Sequence, residues 1–285
     1  MYRVDGEPTD QVPADDRGLQ FGDGLFETIA VVGGRPALLD EHLERLQQDA
    51  ARLGLPTPDG GALAAEARDL ARHAPGCGVL KILLTAGSGG RGYLRPEPVC
   101  LRRILSLHPR PPYPQWHWDT GIPVAVTDVR LAEQPMLGGI KHLNRLEQTL
   151  ARRAWSQGDW GEGLVRDAGG HVIEGTMSNV FAVRNGRLVT PALSRCGVAG
   201  VMRGAIMRHL RDQSRPVAET SLSTFDLASA DEVFVCNSVV GVWPVTRIGE
   251  TPAPGRGEVI ASLQEWIDAE ALACTPHCCT MPEEA

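Results

Sequence analysis

Lysine is nearly missing from this chain: Lys81 and Lys141 are the only two in 285 residues, so almost all of the 28 basic residues are arginine. Chemistry that needs a primary amine on a side chain therefore has two candidates. No stretch approaches the roughly 20 apolar residues of a membrane span. The first residues, Met1 to Asp16, are polar and acidic rather than signal-like, so a cytoplasmic protein is expected. A net charge of −7 gives no electrostatic reason to expect nucleic acid or an anionic membrane as partner. Cysteine is scarce and odd in number: Cys77, Cys100, Cys196, Cys236, Cys274, Cys278 and Cys279 show no paired spacing in the body of the chain, which favours free thiols. The cluster Cys274, His277, Cys278 and Cys279 lacks the two-by-two spacing of a structural zinc site, and no metal is expected. Internal repeats and long low-complexity segments are missing too.

What is present is the composition of a soluble globular protein, 42% hydrophobic and 22% charged, long enough for one large or two ordinary domains. The proline-rich run His108 to Pro114 favours an extended, semi-rigid backbone. The expected division is a smaller N-terminal α/β domain over 1–107, a linker over 108–118, a larger C-terminal domain over 119–272 and a disordered tail over 273–285.

Leu25 to Val32 is a β-branched run turning at Gly33-Gly34, which predicts a hairpin. Asp40 is placed to cap a helix running to about Leu53, with Leu39, Leu43, Leu46, Ala50 and Leu53 on one face and Glu41, Arg45 and Arg52 on the other. Residues 59–73 form a second amphipathic helix. Strands are expected over 79–85 and 100–107. Between them Gly87-x-Gly89-x-x-Gly92 fits the dinucleotide fingerprint, but that fingerprint needs a helix directly after it, and Pro96 and Pro98 forbid one. A glycine-rich hairpin loop carrying Arg91, Tyr93 and Arg95 is the better account. Residues 122–129 are a strand. Two strands joined at Ala168-Gly169-Gly170 follow, then a pair across Asn185-Gly186, a strong hairpin turn.

Lys141 stands between Gly138-Gly139 and a segment in which Leu143, Leu146 and Leu150 step by three and four, with Gly158 placed to end a helix. A lysine held partly out of water loses its proton more easily and can form a Schiff base, the usual anchor for pyridoxal phosphate. Local pattern alone also fits a solvated lysine, since most lysines are exposed. Glu174 closes a strand beside Gly175, where it is either a surface carboxylate or an acid for a pyridine nitrogen. The stretch Gly197 to Gly204 opens a helix, and Asn237-Ser238 ends the strand over 232–236. Both offer backbone N–H groups that suit a phosphate or serve as ordinary caps.

The segment Gly139 to Gln148 closely resembles the cofactor-lysine segment of the branched-chain aminotransferase-like (fold type IV) family of pyridoxal phosphate enzymes. The likeness continues in order through Phe21 to Thr28, Gly87 to Tyr93, Glu174 to Phe181 and Cys236 to Ser238, across nearly the whole chain. It implies a two-domain α/β (α+β) fold like that of D-amino acid aminotransferase, with the cofactor in the interdomain cleft, and a homodimer. By the same resemblance Lys141 is the cofactor lysine and Glu174, 174 − 141 = 33 residues later, is the acid on the ring nitrogen. Arg45 of the His-Leu-x-Arg-Leu segment reaches the phosphate, as do Val201, Met202 and Ser238, with Ser178, Asn179 and Asn237 also at the cofactor. Phe26, Thr28, Arg91, Tyr93 and Arg95 are implied at the substrate. The implied reaction is lysis of 4-amino-4-deoxychorismate to 4-aminobenzoate and pyruvate in folate synthesis. The alternatives are an aminotransferase on branched-chain or D-amino acids, which Tyr93-Leu94-Arg95-Pro96 slightly favours, and a non-catalytic relative, against which an intact Lys141 and Glu174 count.

Overall fold

The computed structural model describes residues 1–155 and 159–278. The chain divides into two units: one holds Met1–Pro111, Ile140–Asn144 and the segment from Ala271 onward, the other Pro112–Gly139 and Arg145–Glu270.

The first unit runs β1 (Tyr2–Val4), α1 (Arg17–Phe21), β2 (Gly24–Val32), β3 (Arg35–Pro36), α2 (Leu39–Arg52), α3 (Gly60–Ala71), β4 (Cys77–Thr85) and β5 (Arg102–Pro109). Its sheet has the order β1-β5-β4-β2-β3 and is antiparallel at every pairing. Alternation along β2 buries Leu25, Glu27 and Ile29 on one face and leaves Phe26 and Thr28 half-buried on the other. Leu39, Leu43, Leu46 and Ala50 of α2 join Leu63, Ala67 and Leu70 of α3 in the core that covers the buried face. Asp59 caps α3, its side chain accepting from Ala62 N–H at 3.0 Å. Asp40 does not cap α2: Leu38, at φ 51°, holds the cap position with no side-chain bond, because Leu39 must already be helical to enter the core. Asp40 instead lies in the first turn, where a negative charge suits the helix dipole. The glycine-rich stretch connects β4 to β5 as a hairpin loop.

Three further expectations change in this unit. Lys141 does not stand at a helix mouth in the C-terminal domain. Residues 140–144 are an extended piece of the first unit, with Ile140 fully buried in its core. His142 bridges Leu25, Phe26 N–H donates to Lys141 O at 3.1 Å, and Leu143 N–H donates to Gly24 O at 3.0 Å. Backbone groups committed to β2 cannot also start a helix. The tail over 273–285 is not disordered in its described part. Ala273 and Cys274 are buried, the Cys274 thiol donates to Gly78 O at 3.2 Å, and Arg110 Nε donates to Cys274 O at 2.9 Å. The same thiol lies 3.5 Å from Val31 O, so the tail meets the backbone of both β2 and β4; residues 279–285 lie outside the described residues. Cys77 is disulfide-bonded, against the expectation of free thiols, whereas Cys100, Cys196, Cys236, Cys274 and Cys278 are free. Sequence spacing does not register cysteines that folding brings together.

The second unit runs α4 (Trp116–Asp119), β6 (Ile122–Arg130), α5 (Leu146–Ala154), β7 (Glu162–Arg166), β8 (Val172–Gly175), β9 (Asn179–Arg184), β10 (Arg187–Pro191), α6 (Val201–Asp212), β11 (Ala218–Thr220), α7 (Thr224–Ala228), β12 (Glu232–Asn237), β13 (Gly241–Ile248), β14 (Thr251–Pro252) and α8 (Glu258–Ala269). Its sheet has the order β11-β10-β9-β12-β13-β6-β7-β8, with β14 on β13. Pairings β10/β11, β13/β6 and β6/β7 are parallel and the rest antiparallel. Asn185 and Gly186 turn β9 into β10 at φ 51° and 73°, as a primed two-residue turn requires. Val180, Val233, Val235 and Trp243 fill the core. On α5, however, Leu146 and Leu150 are exposed, so the leucine spacing there does not mark a buried face. The proposed stop at Gly158 lies outside the described residues. Among the described residues no helix is long and apolar enough to cross a membrane.

Candidate active site

The main chain of Lys141 is held on both sides. Its N–H donates to Asp49 Oδ2 at 3.0 Å and its carbonyl accepts from Phe26 N–H at 3.1 Å. Its Nζ lies 4.1 Å from the centroid of the Phe26 ring, within cation–π range. Lys81 Nζ lies 5.5 Å from the same centroid, so both lysines of the chain converge on one aromatic ring. Phe26, expected at the substrate, here supports the amine. Thr28 follows on the same strand face, opposite Lys81. Burial pushes the Asp49 carboxyl above the usual carboxylate range, against the Lys141 hydrogen bond and the nearby Arg45 charge.

Arg45 grips Glu27. Its Nε donates to Glu27 Oε1 at 2.9 Å and its Nη2 pairs with Glu27 Oε2, while His42 Nδ1 lies 2.6 Å from Oε2. Complete burial alone would raise the Glu27 carboxyl, but Arg45 and the His42 hydrogen bond outweigh it and hold the carboxyl down at about 2. Burial pushes the His42 imidazole below its ordinary range despite Glu27. Nδ1 faces the carboxylate, and Nε2 is buried without a hydrogen-bond partner among the described residues.

The glycine-rich loop is tied from inside. Arg17, 3% exposed, donates from Nη1 to Gly89 O, Gly92 O and Leu94 O, from Nη2 to Tyr93 O, and from Nε to Asp23 at 2.9 Å. Arg95 forks onto Asp23 at 3.0 and 2.6 Å and donates Nη1 to Leu53 O at 2.8 Å. Burial would raise Asp23, but these two guanidinium groups hold it below the usual range. Arg95, expected at a substrate carboxylate, has its donors committed to this brace. Arg91 and Tyr93 remain exposed on the loop, and the Arg91 guanidinium has no hydrogen bond among the described residues.

Glu174 is on the second unit. The residue is 4% exposed, and its carboxylate accepts Val198 N–H at 2.8 Å. The same stretch leads into α6, whose cap residue Gly200 has no side chain, so the first-turn N–H groups of Val201 and Met202 lack helical acceptors. A Cβ on Gly200 would lie 2.1 Å from Asn179 Oδ1, which explains the glycine. Asn179 is a fastener here: its Nδ2 donates to Val198 O at 2.8 Å. Asn237 likewise organises a turn, accepting from Val239 and Val240 N–H at 2.9 Å and donating to Met177 O at 3.2 Å. Ser238 follows it, and its hydroxyl makes no hydrogen bond among the described residues.

Ser178 does not offer its hydroxyl outward. It donates to Glu162 Oε2 at 2.8 Å, alongside Gly163 N–H at 2.8 Å, Thr176 N–H at 3.1 Å, Thr176 Oγ1 at 2.5 Å and Met177 N–H at 3.2 Å. Glu162, fully buried, thereby fixes the turn that follows Glu174. Glu162→Ala leaves these buried donors without an acceptor and is expected to lower unfolding stability by at least about 3 kcal/mol, with a smaller loss for Glu162→Gln. Denaturant unfolding measures it, and an unchanged midpoint would remove the brace.

Asp49, Glu27, Arg17 and Glu162 were not singled out from sequence. Asp49 had one usable signal, an acid beside Leu46, Ala50 and Leu53 on the inward arc of α2; the other three become visible only with their partners. Among the described residues no group of three His, Cys, Asp or Glu can hold a metal.

The family model for amino-transferase class IV matches residues 24–248. The chain is 36% identical over 251 residues to an aminodeoxychorismate lyase of Vibrio harveyi, covering 87% of this chain and 91% of that protein. It is similar to the crystal structure of 4-amino-4-deoxychorismate lyase from Pseudomonas aeruginosa, with a TM-score of 0.90 and 46% identity over 94% of this chain and 98% of that one. The branched-chain amino acid aminotransferase of Escherichia coli superposes with a TM-score of 0.83 at 25% identity, over 93% and 92% of the two chains.

Proposed function

The chain belongs to the class IV aminotransferase family, and from that premise we propose that it is a pyridoxal phosphate-dependent lyase that converts 4-amino-4-deoxychorismate to 4-aminobenzoate and pyruvate. It would act as the homodimer that the resemblance implies. The observation that carries this reading is the 46% identity, over 94% of the chain, to a protein of that activity. The residues fit the cofactor: the uncapped start of α6 suits a phosphate dianion, and Glu174 of β8 accepts the N–H of Val198, on the stretch that leads into that helix. Val201, Met202, Asn237, Ser238 and Arg45 would hold the phosphate, Glu174 the ring nitrogen and Lys141 the aldehyde carbon. When bound, pyridoxal phosphate supplies an aldehyde for an amine and a ring that accepts electrons from a carbanion.

The chain's own groups then have defined tasks. Glu174 keeps the ring nitrogen protonated through a charge-assisted hydrogen bond. The Lys141 amine, released when substrate is bound, takes the proton from the substrate carbon that bears nitrogen. It then gives that proton to the enolpyruvyl oxygen as the carbon–oxygen bond breaks and the substrate ring becomes aromatic. Arg91 and Tyr93 are proposed to hold one substrate carboxylate. Arg95 is withdrawn from that role, and with it the feature that leaned toward an aminotransferase.

Supplying aminodeoxychorismate with no keto acid is expected to give equal, repeated release of 4-aminobenzoate and pyruvate. A single turnover that continues only when 2-oxoglutarate is added would establish the aminotransferase instead.

A further inference from the structure

Asp49 lies in the last turn of α2, 5% exposed, at a position where the helix should present an apolar side chain. A buried carboxylate is costly unless it meets donors. Asp49 meets one directly, the backbone N–H of Lys141 at 3.0 Å, and its other oxygen is 3.8 Å from Arg52 Nη1. Helical spacing sets His42, Arg45 and Asp49 along one side of α2, where His42 and Arg45 clasp Glu27 of β2. The carboxylate therefore reaches Lys141 from a helix that is itself locked to β2, the strand whose Phe26 N–H fixes the Lys141 carbonyl.

We infer that Asp49 is a positioning residue for Lys141: it fixes the main chain from which the reactive amine extends. This rests on Lys141 being the reactive amine. A lysine side chain has four rotatable bonds, so a shift or loosening at its Cα is carried to Nζ. Both tasks of that amine, holding the cofactor and moving a proton, depend on where Nζ lies. Phe26 and Asp49 divide the work: the ring guides the far end of the side chain, and the carboxylate secures its root. The essential feature is an acceptor for one N–H, so an asparagine, whose amide oxygen can accept the same bond, should serve nearly as well.

The test uses the full-length holoenzyme with Asp49→Ala and Asp49→Asn. Asp49→Ala is expected to lower kcat about tenfold while KM for aminodeoxychorismate changes less than about twofold, and to weaken the visible circular dichroism of the bound cofactor, which reports how the lysine orients it. Asp49→Asn is expected to restore both to within about threefold of wild type. A loss of kcat matched by a loss of bound cofactor, with an unchanged dichroism per cofactor held, would overturn the inference in favour of a purely structural role. So would an Asp49→Asn enzyme as impaired as Asp49→Ala; if Asp49→Ala does not fold, an Asp49→Asn enzyme with a wild-type dichroic band supports the inference and one without it overturns it. Failure of the lyase reading itself shows separately, as wild-type protein that binds the cofactor but releases no 4-aminobenzoate.

Discussion

Lys141→Ala is expected to lower turnover by at least about 10³-fold, because one substitution removes both the group that holds the cofactor and the base that moves the substrate proton. Borohydride reduction of the holoenzyme, followed by peptide mapping, should place the pyridoxyl group on Lys141. The chain makes this test unusually sharp, since Lys81 is its only other lysine. Lys81 is also a real competitor, for its Nζ lies over the same Phe26 ring, at 5.5 Å against 4.1 Å for Lys141. What separates the two is the backbone. Lys81 lies inside β4, paired with Thr28 on one side and Ser106 on the other. Lys141 sits on a short bridge behind Gly138 and Gly139, and Gly139 at φ 82° adopts a conformation that a side chain would strain. A label found on Lys81 would falsify the assignment.

Glu174→Gln is expected to keep the cofactor and lower kcat by about 10²-fold, the scale on which a single preorganised electrostatic partner acts. The amide matches the carboxylate in shape, and its oxygen can still accept Val198 N–H, so the path into α6 is preserved. What is lost is the negative charge that keeps a ring nitrogen protonated. Absorbance of the bound cofactor and kcat, measured on the same preparation, distinguish the outcomes. Unchanged turnover would remove Glu174 from the mechanism, and loss of the cofactor itself would reduce it to a binding group.

Local chemistry was legible in the sequence wherever a few neighbouring residues decide the outcome. The amphipathic pattern over 59–73 forms α3, Asn185-Gly186 turns β9 into β10, and the glycine-rich stretch before prolines 96 and 98 is the loop between β4 and β5. Lys141 and Glu174 could be named because their neighbours in sequence carry the family's pattern. Side-chain roles that depend on distant partners could not be read this way. Arg95 and Asp23 are 72 residues apart, and nothing near Arg95 announces that its guanidinium is already engaged. Ser178 faces Glu162, 16 residues earlier, and Asp49 meets Lys141 across 92 residues. The leucines after Lys141 misled for the complementary reason: helical spacing records which residues share a face, not whether that face is covered, and Leu146 is 77% exposed.

The membership of the first unit also orders its assembly in time. A ribosome that has released residues 1–111 has made all five strands of the antiparallel sheet. It has not yet made Ile140, which is fully buried in that sheet's core, nor Ala273 and Cys274, which are buried in the same unit. Synthesis proceeds from the N-terminus, and domains ordinarily fold as they emerge. Here the strands made first wait for Ile140, Ala273 and Cys274, so the unit begun earliest is completed only after the whole of the second unit has left the ribosome.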